Sequence, residues 1–308
     1  MKVLCIGHAA YDITIPVDSY PVENTKNRIS KRIECGGGPA SNAAYLLAKW
    51  NVETYFAGMI GDDLYGDRIK KEFEEVGVNT KYLIQSKDYQ TTSSFVIANQ
   101  DNGNRTVFAY RPQSISMKVI DFDFIPDFIL IDGHEPELSK DALRRYPNAI
   151  SVIDAGRSKK EVIELCYLVN YLVCSKDFAE QVSGIKVDYD DLTTITDIYN
   201  YLKNEFKNKI VITLEDKGCV YEKNEEIKVM SSIKVKALDS TGAGDIYHGA
   251  FLYGLTQNFD IEKVVSYANL AGAISVTRVG GRYSIPTLEE VNSKYASLKW
   301  FNIYWKFT

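Results

Sequence analysis

Short apolar runs alternate along this chain with longer stretches of helical period, and that alternation narrows the folds open to it more than any other feature. Val3–Ile6, Glu53–Met59, Phe128–Ile131, Ala149–Asp154, Leu168–Cys174 and Ile210–Leu214 have strand length, while Ala40–Trp50, Gly66–Val76 and the run after Asp245 have helical length. Strands separated by helical stretches predict an α/β fold, a doubly wound, mainly parallel sheet with helices on both faces. In such sheets ligands sit beyond the carboxyl ends of the strands. With 308 residues, 45% of them apolar and 25% charged, the chain has material for one large core. No repeat, low-complexity tract or linker divides it, which predicts one domain over 1–308.

The most informative local segment is Asp239-Ser240-Thr241-Gly242-Ala243-Gly244-Asp245, followed at once by the apolar run Ile246–Leu252. Two glycines and an alanine let backbone approach a ligand closely. The free N–H groups of the following helix would point into that loop and make an anion site. A carboxylate there makes sense if Asp245 takes a proton from a hydroxyl while the adjacent amides hold a phosphoryl group under attack. Plain turn-and-cap chemistry also accounts for Gly-Ala-Gly before a helix.

Two segments break the alternation. Asp12–Arg32 reads as two extended stretches around a turn, Thr14–Val17 and Arg28–Ile33. Thr91–Arg111 reads as a hairpin whose strands, Ser94–Ala98 and Thr106–Tyr110, flank Asp101-Asn102-Gly103-Asn104. Four such strands predict a small β lid, from about 12–35 and 91–112, projecting over the strand ends and excluding water; an edge hairpin completing the core suits the pattern equally.

Cys35-Gly36-Gly37-Gly38-Pro39-Ala40-Ser41-Asn42 leads from that flap into a helix, with Gly38 permitting close approach and Asn42 offering a donor and an acceptor to sugar hydroxyls. It matches neither a dinucleotide fingerprint nor a Walker loop. Asp12, after the first strand and its turn, stands where ligands bind, although an Asx-turn explains it as well. Asp62 and Asp63 read as caps of the next helix. His8, His134 and His248 are too few and dispersed for a metal site and read as structural or incidental. Trp300–Phe307 reads as an aromatic tail packed on the body or a partner.

Net charge is −5 with a pI near 5.4, and no Lys/Arg block resembles a nucleic-acid footprint. No apolar run is long enough to span a bilayer, and the first residues read as a buried strand rather than a signal peptide. Five scattered cysteines without zinc spacing predict buried reduced thiols and a cytoplasmic enzyme.

With these residues in view, the chain resembles the ribokinase-like (PfkB-type) carbohydrate kinases from end to end. The most specific match is Asp239–Ala250. A first signature is matched by Gly37–Ala44 with Gly58–Asp67 downstream, a nucleotide-side strand and turn by Val211–Leu214 with Gly218, and a carboxyl-terminal signature by Ala273–Pro286. The resemblance implies an ATP-dependent sugar kinase with Asp245 as catalytic base and the amides of Gly242, Ala243 and Gly244 as anion hole. It implies Asp12, Gly38, Asn42 and Asp132 in the sugar site, and Thr213, Gly218 and Asn269 where ATP is held. It further implies Mg²⁺, and a K⁺ site built from Asp239, Thr241, Ser275, Arg278, Gly280 and Ser284. A homodimer through the lid follows from the same likeness.

One departure stands out. The family's Asn-x-x-Glu motif falls on Val173–Glu180, where this chain has Ser175 and Phe178, leaving Asp177 or Glu180 to reach magnesium through water. The acceptor implied is a ketose or pentose. Gly36–Ala40 and Arg278–Pro286 resemble sulfofructose kinases, with Lys26 at their sulfonate contact but His134 where they carry arginine. Asn104-Arg105-Thr106 and Tyr110-Arg111 resemble ketohexokinases and 2-keto-3-deoxygluconate kinases, so Arg111 would pair with a sugar acid; a surface arginine serves as well. A nucleoside kinase of the same fold, with Phe95, Phe108 and Tyr110 stacking a base, is an alternative. So is a non-catalytic sugar- or nucleotide-binding regulator.

Overall fold

The computed structural model describes residues 1–111 and 115–298. The chain begins with β1 (Lys2–Ile6), β2 (Ala10–Val17), β3 (Ile33–Gly37), α1 (Pro39–Lys49), β4 (Glu53–Gly61), α2 (Leu64–Val76) and β5 (Asn79–Ser86). It continues through β6 (Thr92–Asn99), β7 (Arg105–Tyr110), β8 (Phe128–Ile131), α3 (Pro136–Arg145), β9 (Ile150–Ala155), α4 (Lys160–Cys166), β10 (Tyr171–Ser175), α5 (Lys176–Ser183) and α6 (Thr193–Phe206). It closes with β11 (Lys209–Thr213), β12 (Cys219–Lys223), β13 (Glu226–Met230), α7 (Ala243–Thr256), α8 (Ile261–Ser275) and α9 (Leu288–Leu298).

The main sheet runs β13-β12-β11-β10-β9-β8-β1-β4-β5, parallel from β11 to β5 and antiparallel at β12 and β13. Successive side chains of a strand point to opposite faces. Val3 and Cys5 accordingly join a core with α1, α7 and α8, while Leu4 and Ile6 join a second core with α3 to α6. This is the doubly wound arrangement, and it explains why the central strands read as continuous apolar runs.

Helix α7 is buried all round from Ile246 to Thr256. Glycines let its neighbours close in: a Cβ on Gly249 would lie 3.1 Å from Ala43 Cα of α1, and one on Gly254 would lie 3.1 Å from Val264 of α8.

A second sheet, β3-β2-β6-β7, pairs β2 with β6 in parallel and is otherwise antiparallel. One sequence expectation fails here. Arg28–Arg32 is exposed and irregular, and the strand is Ile33–Gly37, the segment taken for a glycine-rich connection. Glycine is required in that strand because neighbouring side chains fill the Cβ space: Arg282 at Gly36 and Asp12 at Gly37. Of the two expected caps only Asp63 serves, accepting from Gly66 N (2.9 Å) and Thr91 N (2.8 Å). The aromatic tail Trp300–Phe307 lies outside the described residues, as does position 112 at the end of the second lid segment. Among the described residues no helix is long and apolar enough to cross a membrane.

Candidate active site

Parallel register gathers the site. Ile6 of β1 pairs with Ile131 of β8, and Ile131 pairs with Ile153 of β9, so His8, Asp132 and Asp154 follow on one rim of the sheet. Ser175 and Thr213 extend that rim on β10 and β11. Helix α7 enters from above the same rim, its amino terminus at Gly242, which adopts φ 75°. Glycine suits that left-handed conformation. Gly244 is exposed and Asp245 partly so, whereas everything beyond Asp245 in α7 is buried. Among the described residues Gly242 N and Gly244 N have no hydrogen-bond partner, while Ala243 N donates to Ser240 O at 3.3 Å. The open end of a buried helix therefore presents donors and one carboxylate to solvent.

Asp245 Oδ2 accepts from Asn42 Nδ2 at 2.8 Å. The close α1–α7 approach over Gly249 makes that bond attainable. Burial raises the Asp245 pKa to about 7, the charge of Asp154 adds to the rise, and the Asn42 bond, His248 and Arg105 oppose it. A carboxylate titrating near neutrality is well matched to general-base work.

Asn42 is itself held from behind. Its Oδ1 accepts from Arg282 Nε at 3.4 Å. Arg282 is buried, pairs with Glu72 at 2.8 Å, donates to Ser41 Oγ, and lies over the rings of Tyr45 and Phe73. Asp12 lies buried against Gly37; burial lifts its pKa to about 6, against a hydrogen bond from Ser94 and the charges of Arg282 and Arg105. Gly38, at φ 98°, sits against the His8 carbonyl, where a Cβ would come within 2.4 Å.

Asp132 follows the end of β8, on the rim where the sequence reading put it, and its carboxylate is held by backbone amides. Its side chain is 1% exposed: Oδ2 accepts from His8 N (2.8 Å) and Ala40 N (3.1 Å), Oδ1 from His134 N (2.9 Å). It organises the rim from beneath. These bonds, with the charge on His134, hold its pKa below the usual carboxylate range despite burial. Above it the His8 and His134 rings stack at 4.8 Å, and His8 Nε2 is buried without a hydrogen-bond partner among the described residues. Burial, then His134 and Arg111, push the His8 pKa down to about 3. Arg111 lies exposed just beyond β7.

The histidines read as structural from sequence are thus at the rim. His248 is the third: Nδ1 lies 2.7 Å from Gly244 O and 3.2 Å from Asp154 Oδ2, and Nε2 lies 3.1 Å from Val173 O. Its position three residues after Asp245, on the same helix face, was the signal that could have found it. Asp154 and Arg282 carried none comparable.

On the other flank, Thr213 Oγ1 donates to Cys174 O (3.3 Å) and buried Asn269 reaches Cys219 Sγ (3.6 Å). Gly218, at φ 105°, turns between β11 and β12 with no room for a Cβ beside Met230 O. Ser175 caps α5, accepting from Phe178 N (3.1 Å), and Phe178 is buried. Glu180 is engaged by Lys186 (2.7 Å) and Val187 N (3.0 Å).

The loop 239–241 meets the turn 275–284. Asp239 Oδ1 accepts from Thr241 N (2.9 Å) and Thr241 Oγ1, and Oδ2 accepts from Gly280 N (2.8 Å). Leu238 N donates to Val276 O (2.7 Å), while Ser284 N donates to Gly280 O (2.8 Å). The Arg278 side chain turns outward to Glu290. From the second sheet, Arg105 Nη1 donates to both Ser240 O and Ser240 Oγ at 2.8 Å, and Ser240 N donates to Gly103 O at 3.1 Å. The hairpin tip is thereby docked on the loop that precedes Asp245.

This arrangement has counterparts among known proteins. A ribokinase of Staphylococcus aureus is 27% identical over 302 residues, covering 94% of this chain and 98% of its own. A nucleoside kinase of Methanocaldococcus jannaschii is 26% identical over 298 residues, covering 94% and 95%. The crystal structure of ribokinase from Thermotoga maritima superposes with a TM-score of 0.80 at 25% identity, covering 96% of this chain and 99% of that one. The sequence profile of the pfkB family carbohydrate kinases matches residues 1–288, and the chain belongs to that family.

Proposed function

We propose that this protein transfers the γ-phosphoryl group of ATP to a hydroxymethyl group of a ketose or pentose. The carrying observation is Asp245: a carboxylate titrating near 7, held by Asn42 at the open amino end of a buried helix. Asp245 abstracts the acceptor proton, a step typically worth about 10²–10⁴ in rate. The amides of Gly242 and Gly244, with Ala243 between them, stabilise charge on the migrating phosphoryl group. Asp12 and Gly38 line the sugar side; Thr213, Gly218 and Asn269 line the nucleotide side. The second sheet closes over the acceptor and excludes water. ATP consumption over a panel of fructose, ribose, sulfofructose, 2-keto-3-deoxygluconate and nucleosides tests the reading. Turnover with at least one sugar supports it, and binding without turnover for every member sinks it.

A second reading of the acceptor has its own observation. Arg111 and Lys159 both bear on His8, and neither has an ion-pair partner among the described residues. That surplus of unpaired cations beside the stacked histidines favours an acceptor with an acidic group, so 2-keto-3-deoxygluconate or sulfofructose would outpace fructose.

The oxygens of Asp239, Thr241, Ser275, Gly280 and Ser284, gathered where two loops meet, suit a monovalent cation such as K⁺. Arg278 would contribute through its backbone, since its side chain pairs with Glu290. Such a cation would fix the loop carrying the anion hole. Equal rates in potassium and in a bulky organic cation would remove this site. Mg²⁺ would be held chiefly by the phosphates and water, because Ser175, Phe178 and Glu180 are all engaged in structure.

A further inference from the structure

His248 and Asp154 stand outside every role assigned so far, yet they are the polar groups packed directly under the first turn of α7. His248 is 5% exposed and Asp154 12%. A neutral imidazole has one donor and one acceptor. Here both ring nitrogens face acceptors, Gly244 O at 2.7 Å and Val173 O at 3.1 Å. Asp154 Oδ2, 3.2 Å from Nδ1, is a third acceptor around the same ring. A lone structural histidine would not need that carboxylate. The ring ties three elements together: α7 through Gly244, β10 through Val173 and β9 through Asp154.

Gly244 is at once the anchor point and one of the phosphoryl-facing amides, and Asp245 is the next residue. We infer that His248 and Asp154 form a positioning pair that fixes the first turn of α7 and with it the placement of Asp245. The inference rests on the reading of Asp245 as the base. Asp245 is faced by Asp154 from β9, by His248 from its own helix and by Arg105 from the second sheet; Asp154 is faced in turn by Asp132 and His134. The Asp154 charge raises Asp245, and the His248 ring lowers it.

The pair therefore makes opposite predictions for its two members. The test is the pH dependence of kcat for the full-length enzyme with its best acceptor. Asp154→Asn removes the negative charge that raises Asp245, so the acid limb moves down. His248→Asn places an amide donor near the Nδ1 position without charge. It should preserve the bond to Gly244 and most of the plateau rate while moving the limb up. His248→Ala also loses the anchor, so its plateau falls about 10-fold or more with KM for ATP little changed. Limbs that stay put, or that move the same way in Asp154→Asn and His248→Asn, overturn the inference.

A second readout does not depend on turnover. With three histidines in the chain, the imidazole protons of His248 are assignable by comparison with His248→Asn. A slowly exchanging ring N–H signal of His248 is expected, displaced in Asp154→Asn. A His248 ring N–H signal unaffected by that change overturns the pairing even in an inactive preparation. Absence of any acid limb in the wild type would count against Asp245 as base, whereas an intact limb that ignores both variants counts against the pair alone.

Discussion

At Asp245, burial and the Asp154 charge outweigh the bond from Asn42, and the result is a carboxyl group poised near neutrality. That poise has a stability consequence. The Asp245 pKa is raised above its ordinary 3.8, so the stability tied to its proton is complete below that value and is lost as pH climbs through about 7. Asp245→Asn has no such proton to lose. Its melting temperature should therefore gain on the wild type as pH rises from about 4 to about 7, and parallel melting curves would contradict the shift. Arg282 is the other decisive residue, a buried cation whose partners are Glu72, Ser41 and Asn42. Arg282→Met leaves Glu72 without its cation and Asn42 unsupported, which should cost about 3–5 kcal/mol in urea unfolding, as breaking a buried pair does elsewhere. A loss below 1 kcal/mol would show that water takes over the pair.

Helices α1 and α7 meet where Gly249 faces Ala43, and the Asn42–Asp245 bond depends on that approach. Gly249→Val should destabilise by about 1–3 kcal/mol through overpacking, and kcat should fall along with stability. Lost stability with unchanged kcat would separate the helix contact from the site. Strands β1, β4, β8, β9, β10 and β11 were legible because burial leaves each a mainly apolar run, whereas the parallel edge strand β5, with only Tyr82 buried, was not. Strand β3 was not either, since Cys35-Gly36-Gly37 has the composition of a loop. Only the Arg282 and Asp12 side chains, brought from elsewhere in the chain, explain why glycine is needed in that strand. The same divide runs through the site. The Gly242–Asp245 loop is local chemistry and could be read as such. Asp154 gains its meaning from His248, and His248 contacts Val173 across 75 residues of sequence. The bonds that hold Asp132 were equally hidden, because they come from amides of β1's turn, α1 and its own loop.

On the scale of the molecule, the second sheet presents one apolar face outward. Phe95 sits opposite Phe108 across the β6–β7 pair, and Phe95, Phe108 and Tyr110 are all exposed. Such a face suits pairing with the same face of a second copy. Sedimentation should therefore show a dimer that Phe95→Ser with Phe108→Ser converts to monomer; a wild-type monomer would leave the face without that role. Everything else in the account converges on one carboxylate. The most direct measurement is steady-state phosphoryl transfer from ATP by Asp245→Asn with the preferred acceptor, alongside nucleotide affinity on the same preparation. The account predicts kcat lower by at least about 10²-fold with nucleotide affinity essentially kept, and turnover close to wild type would contradict it.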